Sequence, residues 1–545
     1  MDHPRYLYVK IPSFLTRYPA RVFRWFFPER PTTLSAVTQG DIVLGLQKRN
    51  EAFLFLHIKN PVAFKRILKT QLIRDITTTA KVVLFDEEIA SHNRHHPDPD
   101  DLHASVHGFN LAFSAVGLAK LGANVEASFP TDTAFKNGQQ ADALLNLGDP
   151  QDARGGLPTW KEAYKGESPI TAPTRENLDH LVGRLLKSLG HSVQLVKRKD
   201  GAVRPGRDRG HEHFGYRDGI ARPAIKGFND LDRPPGETVS HPGVFLTDLG
   251  TGQWTEFGSF MVFRELRQYV PEFDELVQAA ATSCLPARVS PDVIGAPIAL
   301  APTHDDPKLG KDPQKRQNFD FKSDILQEVC PYAAHIRKNN PRRGSAPANI
   351  PTADNLILRA GIPYGESSLL LLPLHLRSSL TYARLLAGPE VSPDELIKNR
   401  TEQERGLFFV CYQSKIENGF QFLQRARLNN SFFPPANAAK ILSPGIDLIA
   451  GQGTDKGVRT AQGIKPGNSQ DLANKVSAPP FVVPRGGEYF FVPSIPGLKH
   501  LANLANVDFH PKGAAGFSEG GGSRAGGGRG AAFRSSDDGK GVLVV

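Results

Sequence analysis

Three segments carry residue types that can do chemistry. In "HFGYRDGIARP" (213–223), Asp218 stands between Arg217 and Gly219, with Gly215 three residues before it. An ordinary turn accounts for that pattern, but a carboxylate held there can also carry a proton. In "CPYAAHIRKNNPRR" (330–343), His335 follows a small apolar stretch and precedes Arg337, Lys338, Arg342 and Arg343. An apolar approach to one imidazole with cations close by suits a haem, the histidine on the iron and the cations on the propionates. A lone histidine is more often simply packed, so both readings stand for this segment alone. In "LILRAGIPYGE" (356–366), Arg359 ends an apolar, strand-like run before Gly361 and Pro363 turn the chain. A strand-rim arginine paired with some carboxylate is its plain alternative.

Other chemistries find no support. "GQGTDKGVRT" (451–460) has glycines and a lysine but not the GxxxxGK[ST] of a phosphate loop, and no GxSxG elbow is present. His103 and His107 have the i,i+4 spacing of helix-borne metal ligands, but Ala104 stands where HExxH chemistry needs a glutamate. Solvated loop histidines are the expectation there. Cys284, Cys330 and Cys411 are too scattered for a disulfide framework or a thiolate cluster.

The elements that must position these residues read as a mixture. "AFLFLHI" alternates as a strand, and "NPVAFKRILKTQLIRDITT" follows with helical spacing. "FNLAFSAVGLAKLGA" (109–123) starts as a strand and ends as a short helix. "TRENLDHLVGRLLKSLG" (174–190) is an amphipathic helix stopped by Gly190, and "HSVQLVKRKDGAVR" is a strand leading into the Asp218 segment. "GSFMVFRELRQYVPEFDELVQAAA" (258–281) and "RGLFFVCYQSKIENGFQFLQRARL" (405–428) each read as strand then helix, and "GESSLLLLPLHL" (365–376) has an apolar core. No regular strand-helix repeat runs through them. That favours an α+β fold of two similar-sized domains over a doubly wound sheet.

The 545 residues allow a large core, and 39% hydrophobic with 22% charged residues is a globular balance. The net charge of +10 is dispersed, without the dense basic runs of a nucleic-acid binder. No apolar run is long enough to span a membrane, and the N-terminal stretch lacks the apolar core of a secretory signal. An intracellular location is therefore expected, with secretion or organelle targeting as alternatives. The basic, aromatic residues 1–30 are expected to form a surface-packed extension. The Gly/Ser/Arg-rich residues 512–545 are expected to be disordered, their "GVLVV" end frayed rather than docked.

The acid, histidine and arginine segments together resemble the dye-decolorizing peroxidases. The family's GxxDG motif reads Gly215, Tyr216, Arg217, Asp218, Gly219, and its proximal and distal segments match "CPYAAHIRKNNPRR" and "LRAGIPYG". "TQGDIVLGLQKR", "FNLAFSAVGLAKLG", "GSFMVFRELRQYVPEF" and "RGLFFVCYQSKIENGFQFLQ" resemble it too, so the likeness runs from about residue 37 to about residue 500 and is closest to the larger fungal-type members. It implies two ferredoxin-like domains of the dimeric α+β barrel type, each an antiparallel sheet with peripheral helices. Their expected bounds are 31–235 and 236–511.

The resemblance also implies one haem b per chain, bound without covalent links, in agreement with the absence of a CxxCH motif. His335 becomes the axial ligand, with Asp447 accepting its other ring proton and Glu417 as the alternative acceptor. Asp218 becomes the proton carrier and Arg359 the fixed charge beside peroxide. Arg337 and Arg342 are assigned to the propionates, and Leu407 and Phe409 to the distal wall. Peroxide would yield water and a ferryl iron with a porphyrin radical, then two one-electron oxidations of dyes, phenolics or other aromatic reductants. An aspartate base favours acidic pH, since its reference pKa of ~3.9 lies below the ~6.5 of histidine. Trp254 and Tyr412 are candidate electron relays for bulky substrates. The alternatives are a haem-handling protein without turnover, which needs neither Asp218 nor Arg359, and a non-haem structural or nucleic-acid-binding protein.

Overall fold

A computed structural model describes residues 34–505 and 542–544, apart from 47, 96–105, 152–155, 161–167, 173–174, 206–208, 217–218, 220–221, 230–237, 274–275, 277–320, 323, 328–329, 343–351, 366–403, 436–441, 453–458, 463–470 and 472–474. The expectations for residues 1–30, His103, Cys284 and the run 366–376 therefore fall outside the described residues.

β1 (Asn50–Ile58) is apolar almost throughout because both its faces are covered. Ala52, Leu54, Leu56 and Ile58 enter one core, while Phe53 and Phe55 enter a second. α1 (Pro61–Ile67) starts on two local signals: the Asn60 side chain accepts the Ala63 N–H at 3.0 Å, and Pro61 holds the first turn. β2 (Gly108–Phe109) and β3 (Leu111–Phe113) flank Asn110, and β4 (Ser168–Ala172), α2 (Arg175–Leu189) and β5 (Val193–Ala202) follow. The strands pair in the order β5, β1, β4, β2, all antiparallel, with two helical crossovers. That is the ferredoxin-like order.

After a short parallel pair, β6 (Ala224–Ile225) and β7 (Val239–Ser240), the arrangement recurs. β8 (Ser259–Gln268) lies centrally, and β9 (Leu358–Arg359) and β10 (Ile362–Tyr364) run along the outer edge of β11 (Gly406–Gln413). A helical turn from Phe420 passes into a π-helical stretch, Leu423–Leu428. A separate hairpin-like pair, β12 (Arg459–Gln462) and β13 (Lys475–Ala478), precedes β14 (Val482–Val492). β14 pairs with β8, giving the order β14, β8, β11, β10 and a second ferredoxin-like unit. The two units share topology without a visible sequence repeat.

Phe491 of β14 pairs with Phe113 of β3, which fuses the two units into one sheet of eleven strands among the described residues. One of the eleven corrects an expectation. Val542–Val544, read as part of a frayed end, forms β15 between β1 and β3. Its neighbours on both sides offer backbone partners that an isolated five-residue peptide lacks, which is why sequence reading undervalued it.

Gln39 pins the joint between the units. Its amide donates to Leu111 O (2.9 Å) and Pro493 O (2.7 Å), and its carbonyl accepts the Leu111 N–H at 2.8 Å. Gln39→Leu keeps the volume but strands these buried backbone groups. Urea melts should show a loss of roughly 2–4 kcal/mol, and a loss below about 0.5 kcal/mol would show that the joint does not rest on this side chain.

Candidate functional site

Strand pleat assembles the site. On β8, Arg264, Leu266 and Gln268 share one face and line a cavity of about 280 Å³, while Met261 and Phe263 face the second core. On β11, Leu407 and Phe409 line the cavity while Phe408, Val410 and Tyr412 enter that core. Arg359 of β9, paired with Cys411, lines the same cavity. Gly361 lets this edge lie close: a Cβ there would stand 2.8 Å from Phe408 O.

His335 opens α3 (His335–Asn339) and also lines the cavity. Its Nδ1 lies 2.5 Å from Asp447 Oδ2. Asp447 is fully buried, and its other oxygen accepts the N–H groups of Ile449 (2.7 Å) and Ala450 (3.1 Å). Burial pushes this carboxyl up, but His335 and the two amides outweigh it and hold the group below its ordinary value. The carboxylate fixes the tautomer: Nδ1 carries the proton and Nε2 keeps its lone pair. Glu417, the alternative acceptor, instead takes the Ala134 N–H at 2.9 Å.

Two of the cations beside His335, Arg337 and Lys338, are spent elsewhere, and Arg343 lies outside the described residues. Arg337, expected at a propionate, is fully buried, donating to Asp324 Oδ2 (2.9 Å), Asp324 O (2.8 Å) and Cys330 O (2.5 Å) with its guanidinium 3.8 Å from the centre of the Tyr332 ring. At about 100° per residue, a helix that turns His335 toward the cavity turns Arg337 away from it. That assignment is therefore corrected: Arg337 braces the segment. Arg342 is not among the lining residues, and its carbonyl accepts the Phe321 N–H at 3.3 Å. Lys338, pushed down to about 7 by burial, donates to the carbonyls of Asn430, Phe433 and Gly445. Arg427 ties the helix end by donating to Asn339 O at 2.6 Å.

Sequence reading missed Arg264, Gln268 and Glu212. The signal for the first two was a polar residue at every second or fourth position of an apolar strand, "SFMVFRELRQ". Arg264 donates to Asp149 at 2.5 Å. Glu212 accepts the N–H groups of Phe214 (2.9 Å) and Tyr216 (2.8 Å), and Gln268 donates to it. His213 Nε2 lies 2.9 Å from Tyr364 O, and burial pushes its pKa down to about 4. The turn entering the acid motif is thus tied to β8 and β10. Arg217 and Asp218 themselves lie outside the described residues. Gly215 and Gly219 hold φ of +91° and +85°, a left-handed conformation that glycine adopts without strain and that the turn requires.

Neither relay candidate lines the cavity. Trp254 is half-buried, stacked on His500 with ring centroids 5.6 Å apart, and Tyr412 is buried, donating to Asp41 Oδ2 at 2.5 Å.

The donor set fits a haem. One carboxylate-backed imidazole presents Nε2 to a mainly apolar space, Arg264 and Arg359 border it, and Gln268 Oε1 is buried without a partner. His335 would hold the iron, the apolar lining would wall the macrocycle, and the polar groups would meet its polar substituents.

Lys48 supports Arg359 from behind. Its Nζ donates to Ala360 O (2.7 Å) and to Glu51 Oε1 (2.9 Å), and lies 3.8 Å from Asp41. Burial pushes Glu51 up to about 7 against the pull of Lys48. The folded chain therefore holds a proton there that the unfolded chain releases from about 4.5, and stability falls as the pH climbs between those values. Glu51→Gln should flatten that slope, by on the order of 3 kcal/mol across the window. Urea melts at several pH values read it directly, and an unchanged slope would show that Glu51 is ionised in the fold.

Residues 38–205 match the family described as the DyP dimeric alpha+beta barrel domain, and residues 224–432 the Dyp-type peroxidase C-terminal family. Dye-decolorizing peroxidase AauDyP1 of Auricularia auricula-judae is 34% identical over 494 residues, 84% of this chain and 85% of its own. Peroxidase 2 of Mycetinis scorodonius is 34% identical, over 88% of this chain and 91% of its own. A solved ancestral D-type dye-decolorizing peroxidase superposes with a TM-score of 0.70 at 37% identity, covering 87% of this chain and all of that one. A dye-decolorizing peroxidase complex with 2,6-dimethoxyphenol superposes with a TM-score of 0.65 at 34% identity, with the same coverage of both chains.

Proposed function

The chain belongs to the dye-decolorizing peroxidase family and is a haem-dependent peroxidase, and on that premise we propose what its own residues contribute. The cofactor is haem b, one per chain and held without covalent bonds. One observation carries the reading: His335, backed by Asp447, lines the same cavity as Arg359, Leu407 and Phe409.

His335 would hold the haem iron through Nε2. By accepting the Nδ1 proton, Asp447 makes the ring a stronger donor and fixes its orientation. When bound, the haem supplies the redox chemistry, taking oxidising equivalents from hydrogen peroxide and delivering them to the reductant one electron at a time. Asp218 takes a proton from one peroxide oxygen and returns it to the other, the departing one. Arg359 sets a fixed positive charge against the oxygen anion that develops, without reorganising at the moment of reaction. Lys48 braces the backbone next to Arg359 through the Ala360 carbonyl. Leu407 and Phe409 form an apolar wall that limits water. The relative bound to 2,6-dimethoxyphenol supports a phenolic or similarly small aromatic reductant.

Stopped-flow mixing of haem-loaded protein with hydrogen peroxide tests the assignment. Asp218→Asn and Arg359→Leu should each slow the peroxide reaction by on the order of a hundredfold or more while keeping the Soret band. Wild-type rates in both variants would remove these residues from the reaction.

The proposed base also sets a pH dependence. Asp218 has a reference pKa of ~3.9, so it remains a base in acid where a histidine has protonated. His213, pushed down to about 4, keeps the turn before it free of a buried cation until comparably low pH. Peroxide turnover is therefore expected to favour the acid side. A rate rising steadily from about pH 4 to about pH 8 would rule Asp218 out as the operative base.

A further inference from the structure

The place beside β1, on the edge that faces β2 and β3, is filled by two segments laid end to end. β4 pairs with Asn50–Leu54 of β1 and with Gly108 and Phe109. β15 continues along the same line, pairing with Leu54–Leu56 on one side and Leu111–Phe113 on the other. Both run antiparallel to β1. β4 is five residues long against the nine of β1 and includes Pro169, so it cannot cover the strand alone. The residues it leaves uncovered are interior ones: Phe55, Leu56, Leu111, Ala112 and Phe113 are all fully buried.

Unfilled, this gap would leave backbone N–H and C=O groups of two buried strands facing each other without partners. Each such group costs about 1–3 kcal/mol. We propose that the gap is a peptide-binding slot, filled in cis by this chain's own residues 542–544 through strand addition, and that it binds an extended aliphatic peptide when that segment is withheld. Main-chain bonding on both edges supplies the affinity, and the apolar residues on either side select an apolar strand. "GVLVV" meets that requirement.

Reach does not decide the source of the strand. Residues 506–541, at about 3.3 Å each when extended, span on the order of 100 Å, enough for this slot or a neighbour's. Occupation in cis is favoured because the covalent link makes it intramolecular, while a second copy must first meet the cost of association.

Cross-linking tests this in the full chain. Ala112 and Leu543 stand opposite each other in the ladder, within the Cα spacing that a disulfide bridges. Ala112→Cys with Leu543→Cys should give, on mild oxidation, a linked peptide within the monomer. Ala112→Cys with Val542→Cys, one register step away, should link far less. Equal linking in both pairs would overturn the register, and linking only in dimers would overturn occupation in cis. As a second measurement, a variant lacking residues 540–545 should exchange the amides of 54–56 and 111–113 about tenfold faster or more. Added Gly-Val-Leu-Val-Val peptide should restore protection. Unchanged exchange after truncation, or no restoration by the peptide, would overturn the slot.

Discussion

The pleat of β8 and β11 is the constraint on which the site rests. Successive side chains on a strand point to opposite faces, so one pair of adjacent strands can build a cavity wall and a core at once. Arg264, Leu266, Gln268, Leu407 and Phe409 take the cavity face, while Met261, Phe263, Phe408, Val410 and Tyr412 fill the core behind. A one-residue slip of either strand would exchange the two sets and abolish both. The register between them runs unbroken from Gly406 opposite Arg267 to Gln413 opposite Phe260, which makes the wall rigid.

Four buried charged groups around the site have fixed partners. Asp447 is matched by His335 and two backbone amides, Arg337 by Asp324 and carbonyls, Lys338 by three carbonyls, and Arg264 by Asp149. Removing any one partner would leave an uncompensated interior charge, which typically costs about 3–5 kcal/mol. The consequence for function is pre-organisation: His335 already has its tautomer and orientation set, and the edge carrying Arg359 is already braced through Ala360.

Some of the site was legible from local chemistry. His335 stood out because it follows a small apolar stretch and precedes cations, and Arg359 because it ends an apolar run, whereas Leu407 and Phe409 were assigned through the family resemblance. Arg337 was misread because residue type is visible in sequence but helical phase against the cavity is not. Asp447 lies 112 residues from His335, so no local pattern could choose it over Glu417, and only the packed turn at Ile449 and Ala450 shows why Asp447 is held in place. The small joints, such as Gln39 between Leu111 and Pro493, carry no local signature at all.

By itself the sequence determined the α+β class, the strands and helices, and the residue types able to serve a haem and peroxide. It could do so because strand pleat, helix periodicity and turn chemistry are local, acting over a few residues. The tertiary structure alone decided which charges face the cavity and which brace the core, and which carboxylate holds His335. It also decided that residues 542–544 lie in a sheet more than four hundred residues away from β1. Those outcomes depend on long-range pairing and on the cost of leaving buried polar groups unmatched, and neither is a property of any short stretch of chain.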